Sequence, residues 1–279
     1  MNQVENWPAR RPDRPFVRLV PDVQFARFSG GKTLSLNLLL PASDRPVPLI
    51  LWIVGGAWVS CDPARHLPQF VRFAEQGYAV AAIEYRLAHE ARFPAQIEDA
   101  KSALRFLRAN ADKYGIDAGR IGVWGNSAGG QLAALLGVTG GSPEFETADH
   151  LQESTSVRAV VDFNGPIDIE LDFQSEQHLP VMALMLGGTV RMKPELARST
   201  SPLHYLDGRP LPPFLILHGD ADTTVPLRQS RLLHDKLTEA GAQSELCVLE
   251  GTGHSMTEIL TRDDVMEKVG AFFDLHLKQ

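Results

Sequence analysis

A serine flanked by glycines carries the clearest chemical signal in this chain. Residues 125–129 read Gly-Asn-Ser-Ala-Gly, between residues 120–124, which favour a buried strand, and residues 130–136, which favour a helix. A tight strand-to-helix turn exposes a serine hydroxyl, and glycine is needed there because a Cβ would collide with the adjacent strand or helix. The first helical turn also presents N–H groups to developing negative charge. The motif predicts Ser127 as a nucleophile.

A serine nucleophile needs a base that takes its proton, and His254 is the candidate. It lies on the loop at residues 251–255, after the last predicted strand and before the last predicted helix. Of the nine histidines it alone lies on that loop, whereas His218 ends an earlier strand and could support the site, and His276 lies in the final helix. This position predicts His254 as the general base.

The base needs a carboxylate that orients it, and the loop after residues 214–218 supplies two. Asp220 and Asp222 both lie between a predicted strand and a predicted helix. Glu250 is a third and weaker candidate. The loop pattern does not separate Asp220 from Asp222. One of these aspartates could simply cap the following helix, although Thr224 could take that role and leave Asp222 free.

Alternating strands and helices must hold these groups in place. Apolar runs predict strands at residues 48–54, 78–85, 157–163, 214–218 and 245–249, after a hairpin formed by residues 23–28 and 34–40 around Ser29-Gly30-Gly31. Helices are predicted at residues 63–76, 94–114, 226–240 and 256–277.

This alternation predicts an α/β fold with a mainly parallel eight-stranded sheet, flanked by helices and antiparallel at its first edge. Residues 166–201 interrupt the rhythm and are expected to form a small cap insertion within a single domain over residues 1–279. The chain order serine, acid, histidine is that of the α/β-hydrolase fold.

Several motifs resemble those of one enzyme group. Residues 84–88 (EYRLA), 93–96 (FPAQ), 113–117 (KYGID) and 214–226 carry the likeness, which extends from about residue 48 to the end. The chain resembles the esterase/lipase group of α/β-hydrolases, which includes hormone-sensitive-lipase-like esterases, and most closely the acetyl-esterase and feruloyl-esterase-like enzymes acting on plant-polysaccharide esters. The resemblance implies Asp222 as the acid and His254 as the base. We expect Arg86 and Asp99 to form an internal ion pair with a structural role.

An oxyanion hole is expected where the loop after the third strand faces the serine. Residues 53–58 read IVGGAW, and the predicted donors are the backbone N–H groups of Gly56, Ala57 and Ala128. The resembling group usually has His-Gly-Gly-Gly in this loop, whereas this chain has Val54 at the histidine position and Ala57 at the third glycine. Valine forms no side-chain hydrogen bond. We expect Val54 to pack beneath the loop and the hole to remain competent.

The substrate-binding residues are less strongly indicated. The candidates are Trp58, Asn126, Phe163, Ile167 and Met185, which would line an acyl or alcohol pocket. The apolar members of this set fit a role as core residues equally well.

Composition narrows the functional classes. The chain has 279 residues and a net charge of −7, which argues against a nucleic-acid partner. Two distant cysteines, Cys61 and Cys247, favour neither a disulfide framework nor a zinc site, and no cofactor or metal is expected. No secretory h-region or membrane-length apolar segment is present, which predicts a cytoplasmic protein with no membrane partner. The oligomeric state stays open.

The predicted function is hydrolysis of small acyl or aryl carboxylic esters through an acyl-enzyme. An amide hydrolase, arylformamidase-like or peptidase-like, would use the same groups and is one alternative. A non-catalytic ligand-binding protein on the same fold is another. Ester and amide substrates compared side by side distinguish the first alternative, and covalent labelling of the serine distinguishes the second.

Overall fold

One mainly parallel sheet organises the molecule, and a computed structural model describes it over residues 16–28, 31–147, 149–173, 178–206 and 208–279. Within these residues eight strands pair in the order β1-β2-β4-β3-β5-β6-β7-β8. The strands are β1 (Val17–Arg27), β2 (Thr33–Pro41), β3 (Val47–Ile53), β4 (Ala79–Ile83), β5 (Ile116–Asn126), β6 (Ala159–Phe163), β7 (Phe214–Gly219) and β8 (Ser244–Leu249). The β1–β2 and β2–β4 pairs are antiparallel and the others parallel, so the predicted eight-stranded sheet and its antiparallel edge are confirmed. Ser29 and Gly30, at the tip of the predicted hairpin, lie outside the described residues.

Helices connect the strands and cover both faces of the sheet. They are α1 (Leu67–Glu75), α2 (Ala95–Ala109), α3 (Ala111–Tyr114), α4 (Ala128–Thr139), α5 (Ile169–Asp172), α6 (Leu179–Leu186), α7 (Pro194–Ser199), α8 (Arg228–Glu239), α9 (Met256–Leu260) and α10 (Asp263–Leu277), with a 3₁₀ turn at Pro202–Tyr205. Across the described ranges, no helix is long and apolar enough to cross a membrane.

Two predicted helices are interrupted. The one predicted over residues 94–114 breaks at Asn110, whose side-chain amide donates to the Phe106 carbonyl at 2.9 Å. The one predicted over residues 256–277 breaks at Arg262, whose backbone is extended (φ −81°, ψ 117°). Neither break changes the apolar face of the segment, which explains why periodicity did not reveal it.

Strand residues are buried alternately against two hydrophobic layers. In β3, Leu49, Leu51 and Ile53 belong to one core cluster, and Ile50 and Trp52 belong to the other. This double burial accounts for the uninterrupted apolar run at residues 48–54. The second layer is aromatic: the ring of Trp52 packs edge-on against Trp124 at 5.4 Å.

The sheet register brings the functional loops together. Ile53 pairs with Gly125 and Asn126 with Phe163, so the loop after β3 meets the turn after β5 at the same edge. Gly219 pairs with Leu249, which places the loops after β7 and β8 side by side. The carboxyl ends of parallel strands form the ligand-binding edge of such sheets.

The predicted ion pair between Arg86 and Asp99 is confirmed. Arg86 Nη2 lies 2.8 Å from Asp99 Oδ1, and Arg86 Nε also donates to both carboxylate oxygens. The backbone N–H of Arg86 donates to Asp99 Oδ2 at 2.7 Å. The pair joins the chain after β4 to α2 and has a structural role.

Candidate active site

The turn between β5 and α4 holds Ser127 in a strained backbone conformation, with φ 52° and ψ −125°. A Cβ on Gly125 would lie 2.0 Å from the Gly129 carbonyl oxygen, and one on Gly129 would lie 2.0 Å from the Ile53 carbonyl oxygen. The sequence-based reason for both glycines is therefore confirmed. The backbone N–H of Ser127 donates to the Phe163 carbonyl at 2.8 Å and to Asn164 Oδ1 at 3.1 Å, which fixes the turn against β6.

The structure brings Ser127, His254 and Asp222 into one hydrogen-bonded line. Ser127 Oγ lies 2.9 Å from His254 Nε2, and His254 Nδ1 lies 2.6 Å from Asp222 Oδ2. An ionised carboxylate only accepts hydrogen bonds, so His254 carries its proton on Nδ1. Nε2 is then free to accept the hydroxyl proton of Ser127.

The environment of Asp222 keeps its carboxylate ionised. Burial of this side chain opposes ionisation, but hydrogen bonds with His218, His254 and the backbone N–H of Val225 outweigh it and hold the pKa of Asp222 well below its usual range. Asp222 Oδ1 accepts from the backbone N–H groups of Thr224 at 2.8 Å and Val225 at 2.9 Å. Thr224 does not cap α8, which begins at Arg228 without a side-chain cap. Asp222 accepts the backbone hydrogen bonds that hold this loop.

The two competing carboxylates lie elsewhere. Asp220 Oδ1 accepts from the backbone N–H of Gly251 at 2.7 Å and so ties the loop after β7 to the loop after β8. Glu250 is exposed to solvent. Of the three candidates, Asp222 alone contacts His254 within the described residues.

His218 supports the carboxylate from inside the protein. Its side chain is completely buried, and its Nε2 lies 2.9 Å from the Val225 carbonyl and 3.4 Å from Asp222 Oδ2. Because a carbonyl only accepts, Nε2 carries a proton. Nδ1 lies 2.7 Å from Ser230 Oγ. His218 thus fixes both the loop and the carboxylate.

The loop after β3 has the features expected of an oxyanion hole. Gly56, Ala57 and Trp58 all have positive φ angles, of 149°, 51° and 58°. Strain of this kind persists where the surrounding structure holds it and often marks a functional site. Within the described part of the chain, no group accepts a hydrogen bond from the backbone N–H of Gly56, Ala57 or Ala128. These three donors remain available to a ligand.

Two hydrogen bonds brace this loop without a histidine. The backbone N–H of Gly55 donates to Asn126 Oδ1 at 2.9 Å, and Tyr85 Oη donates to the Val54 carbonyl at 3.0 Å. The Val54 side chain is buried in the aromatic layer, as expected. Asn126 was expected to bind substrate; it borders the site, but its amide oxygen is used to hold the loop.

Two cavities meet at Ser127. The smaller one, of about 80 Å³, is apolar and is bordered by Trp58, Phe173 and Met182. The larger one, of about 360 Å³, is bordered by His254 and Arg65. Ala57, Ser127 and Thr224 line both cavities, so a group bonded to Ser127 adjoins both.

The structure separates the predicted substrate-binding residues into two groups. Trp58 and Asn126 border the cavities. Phe163, Ile167 and Met185 are completely buried and border neither cavity. Phe163 packs on the Trp124 ring at 5.3 Å, and the other two lie in the core beneath the site. Phe163 belongs to one hydrophobic layer and Ile167 and Met185 belong to the other, so packing in the core accounts for these three apolar residues.

Sequence reasoning missed the polar residues that reach the site from outside the motifs. Asn164 contacts the serine turn, and Arg65 and His66 border the larger cavity. Asn164 directly follows an apolar strand at the functional edge of the sheet, which is a signal that could have identified it. Arg65 and His66 precede α1, where nothing in the local pattern indicates a ligand.

Comparisons with known proteins agree with this architecture. The BD-FAE family model matches residues 36–237. Esterase LipC of Mycobacterium tuberculosis is 37% identical over 216 residues, which cover 75% of this chain and 53% of LipC. The chain spans about half the length of this and the next named relatives that it matches.

Solved structures cover the chain more completely. A truncated carbohydrate esterase from gut microbiota has a TM-score of 0.84 and 30% identity, covering 96% of this chain and 99% of that one. Esterase Est2 of Thermogutta terrifontis with propionate bound has a TM-score of 0.73 and 29% identity, covering 98% and 97%. Est2 has also been solved with butyrate bound and phosphorylated by paraoxon. The chain belongs to the BD-FAE family, within the esterase/lipase group of α/β-hydrolases.

Proposed function

We propose that the protein is a serine hydrolase of carboxylic esters with short acyl groups. The observation that carries this proposal is the hydrogen-bonded line from Ser127 through His254 to Asp222, which ends where the two cavities meet. In this proposal Ser127 is the nucleophile, His254 the general base and acid, and Asp222 the group that orients the base.

The chemistry follows from the protonation states. As Ser127 Oγ attacks the ester carbonyl, its proton moves to His254 Nε2, and ionised Asp222 stabilises the resulting imidazolium. The N–H groups of Gly56, Ala57 and Ala128 stabilise the oxyanion. His254 then protonates the departing alcohol, which leaves an acyl group on Ser127. A water molecule deprotonated by His254 releases the acid and restores the serine.

The position of His254 assigns each cavity to one part of the substrate. Because His254 must protonate the leaving oxygen, the alcohol occupies the larger cavity, which His254 borders. The acyl group then occupies the smaller cavity, which Ala57, Trp58 and Ala128 border. The scissile carbonyl lies between the cavities, beside the free N–H groups of the loop after β3.

The size of the acyl cavity favours short chains. Its volume is about 80 Å³, roughly half of the 150 Å³ cavity that holds benzene in an engineered protein core. It accommodates acetyl, propionyl or butyryl groups and excludes a feruloyl ring. The propionate and butyrate bound to Est2 agree with this range. Phe173, Val181 and Met182 border this cavity, and in this proposal the described part of the insertion that contains them acts as a small cap.

Covalent labelling tests the nucleophile. A fluorophosphonate reagent should modify the wild-type protein and the exposed control Ser43→Ala, and it should leave Ser127→Ala unmodified, as intact-mass spectrometry will measure. Labelling of Ser127→Ala at the wild-type rate, or no labelling of the wild type, would refute the assignment.

An acyl series tests the substrate class. We expect kcat/KM for p-nitrophenyl esters to peak between acetate and butyrate and to fall at least tenfold by octanoate, with methyl ferulate poorly cleaved. p-Nitroacetanilide, the amide matched to the acetate ester, should be cleaved far more slowly. A maximum at octanoate would contradict the proposed acyl cavity, and faster anilide cleavage would make the protein an amidase.

A further inference from the structure

An arginine side chain borders the larger cavity, which the proposed function assigns to the alcohol part of the substrate. Arg65 borders this cavity together with Ser127 and His254. No Asp or Glu side chain is among the described residues that border it. The charged lining is therefore cationic.

The Arg65 guanidinium is not engaged elsewhere in the described part of the chain. The ion pairs and side-chain hydrogen bonds between described residues do not include it. The nearby carboxylate of Asp62 instead accepts from the backbone N–H of Ala64 at 3.0 Å. Arg65 is exposed. An arginine that borders a cavity and has no ion-pair partner among the described residues is available to bind a ligand.

His66 adds a buried polar group beside that cation. The residue is 4% exposed, borders the same cavity and packs edge-on against the Trp52 ring at 6.0 Å. None of the side-chain hydrogen bonds between described residues involves its ring. Burial and the adjacent Arg65 charge lower the pKa of His66 and outweigh the opposing effect of Asp62. The ring is therefore neutral at neutral pH and can donate one hydrogen bond.

We infer that the alcohol portion of the substrate carries a carboxylate, which Arg65 pairs with and His66 hydrogen-bonds. This inference rests on the proposed function, because it places the leaving alcohol in the larger cavity. The planar guanidinium matches a carboxylate bidentately, and no carboxylate of a described residue pairs with Arg65, so a substrate would displace none of these. The substrate class is therefore a short-acyl ester of an acidic alcohol.

Two acetate esters that differ in charge test the inference. 4-Acetoxybenzoate and 4-acetoxybenzamide have leaving groups of nearly equal shape, so the ratio of their kcat/KM values isolates the effect of the carboxylate. Arg65→Gln should lower this ratio up to about fivefold, as expected for an ion pair of an exposed side chain, and Arg65→Lys should restore part of it. The matched control is Arg45→Gln. Arg45 is also exposed, but it lies before the start of β3, whereas the site lies after the end of that strand.

The outcomes separate this inference from the proposed function. An unchanged ratio in Arg65→Gln, or an equal fall in Arg45→Gln, would overturn the carboxylate site while leaving ester hydrolysis intact. Calorimetric binding of 4-acetoxybenzoate to Ser127→Ala, with and without Arg65→Gln, measures the site without turnover. Weaker binding in the double variant supports the site even if hydrolysis fails, and equal binding overturns it.

Discussion

Replacing Asp222 by asparagine tests how the orientation of the His254 imidazole affects the proposed catalysis. Two backbone N–H groups, those of Thr224 and Val225, donate to Oδ1 at 2.8 and 2.9 Å. These donors require the amide oxygen of an asparagine at the Oδ1 position, so its NH₂ group must face His254. His254 Nδ1 then accepts instead of donating, and the ring proton moves to Nε2. In that tautomer Nε2 no longer accepts the proton of Ser127.

The expected loss is large and affects the chemical step. Enforcing the wrong tautomer in a serine–histidine–aspartate triad lowers kcat about 10⁴-fold, which corresponds to about 5.4 kcal/mol of transition-state stabilisation. Because the Oδ1 acceptor is retained, Asp222→Asn should fold, and KM for p-nitrophenyl acetate should change little. Steady-state kinetics, together with the urea unfolding midpoint, measure these effects separately.

Asp220→Asn is the matched control for this experiment. Asp220 lies on the same loop but binds the backbone N–H of Gly251, so its substitution should change kcat less than about tenfold. Equal losses in the two variants, or a loss below tenfold in Asp222→Asn, would refute the assignment of the acid and the reasoning about the tautomer.

Three further predictions concern the loop brace and a buried carboxyl group. Asn126→Ala removes the acceptor of the buried Gly55 N–H and should lower kcat/KM for p-nitrophenyl acetate about tenfold, with an unchanged rate contradicting the brace. Val54→His should give no gain in turnover, because Asn126 and Tyr85 already hold this loop, and a gain of several orders of magnitude would show that the native oxyanion hole is defective. Burial raises the pKa of Asp162 to about 7, despite the opposing effects of the adjacent His218 charge and a backbone hydrogen bond. The unfolded carboxyl ionises near pH 3.9, so this group's contribution to stability is complete below that pH and is lost as the pH rises to about 7. Asp162→Asn should remove this part of the pH dependence of the urea midpoint, and identical profiles for both proteins would contradict it.

Much of the fold was predictable because its signals are local. The strand at residues 48–54 is buried on both faces, and this produces an uninterrupted apolar run. The breaks at Asn110 and Arg262 were not predictable, since each leaves the apolar periodicity of its segment unchanged.

The sequence by itself determined the turn that holds the proposed nucleophile and the loop that holds the proposed base. Ser127 lies between glycines whose missing Cβ atoms are required by close backbone contacts, and such a requirement is visible in a short motif. His254 was identified by its place after the last strand.

The family resemblance implied Asp222, but the local loop pattern did not separate it from Asp220, and the tertiary structure supplies the physical reason for the difference. Asp220 and Asp222 lie two residues apart, and their roles separate because the loops after β7 and β8 pack side by side, with Gly251 bound to one and His254 to the other. Arg65 approaches the site from a segment without a motif. The three proposed triad residues were predictable because each lies in a loop with a recognisable position or motif. Arg65 and His66 were not predictable, because side chains brought to a site by a segment without a motif leave no local pattern.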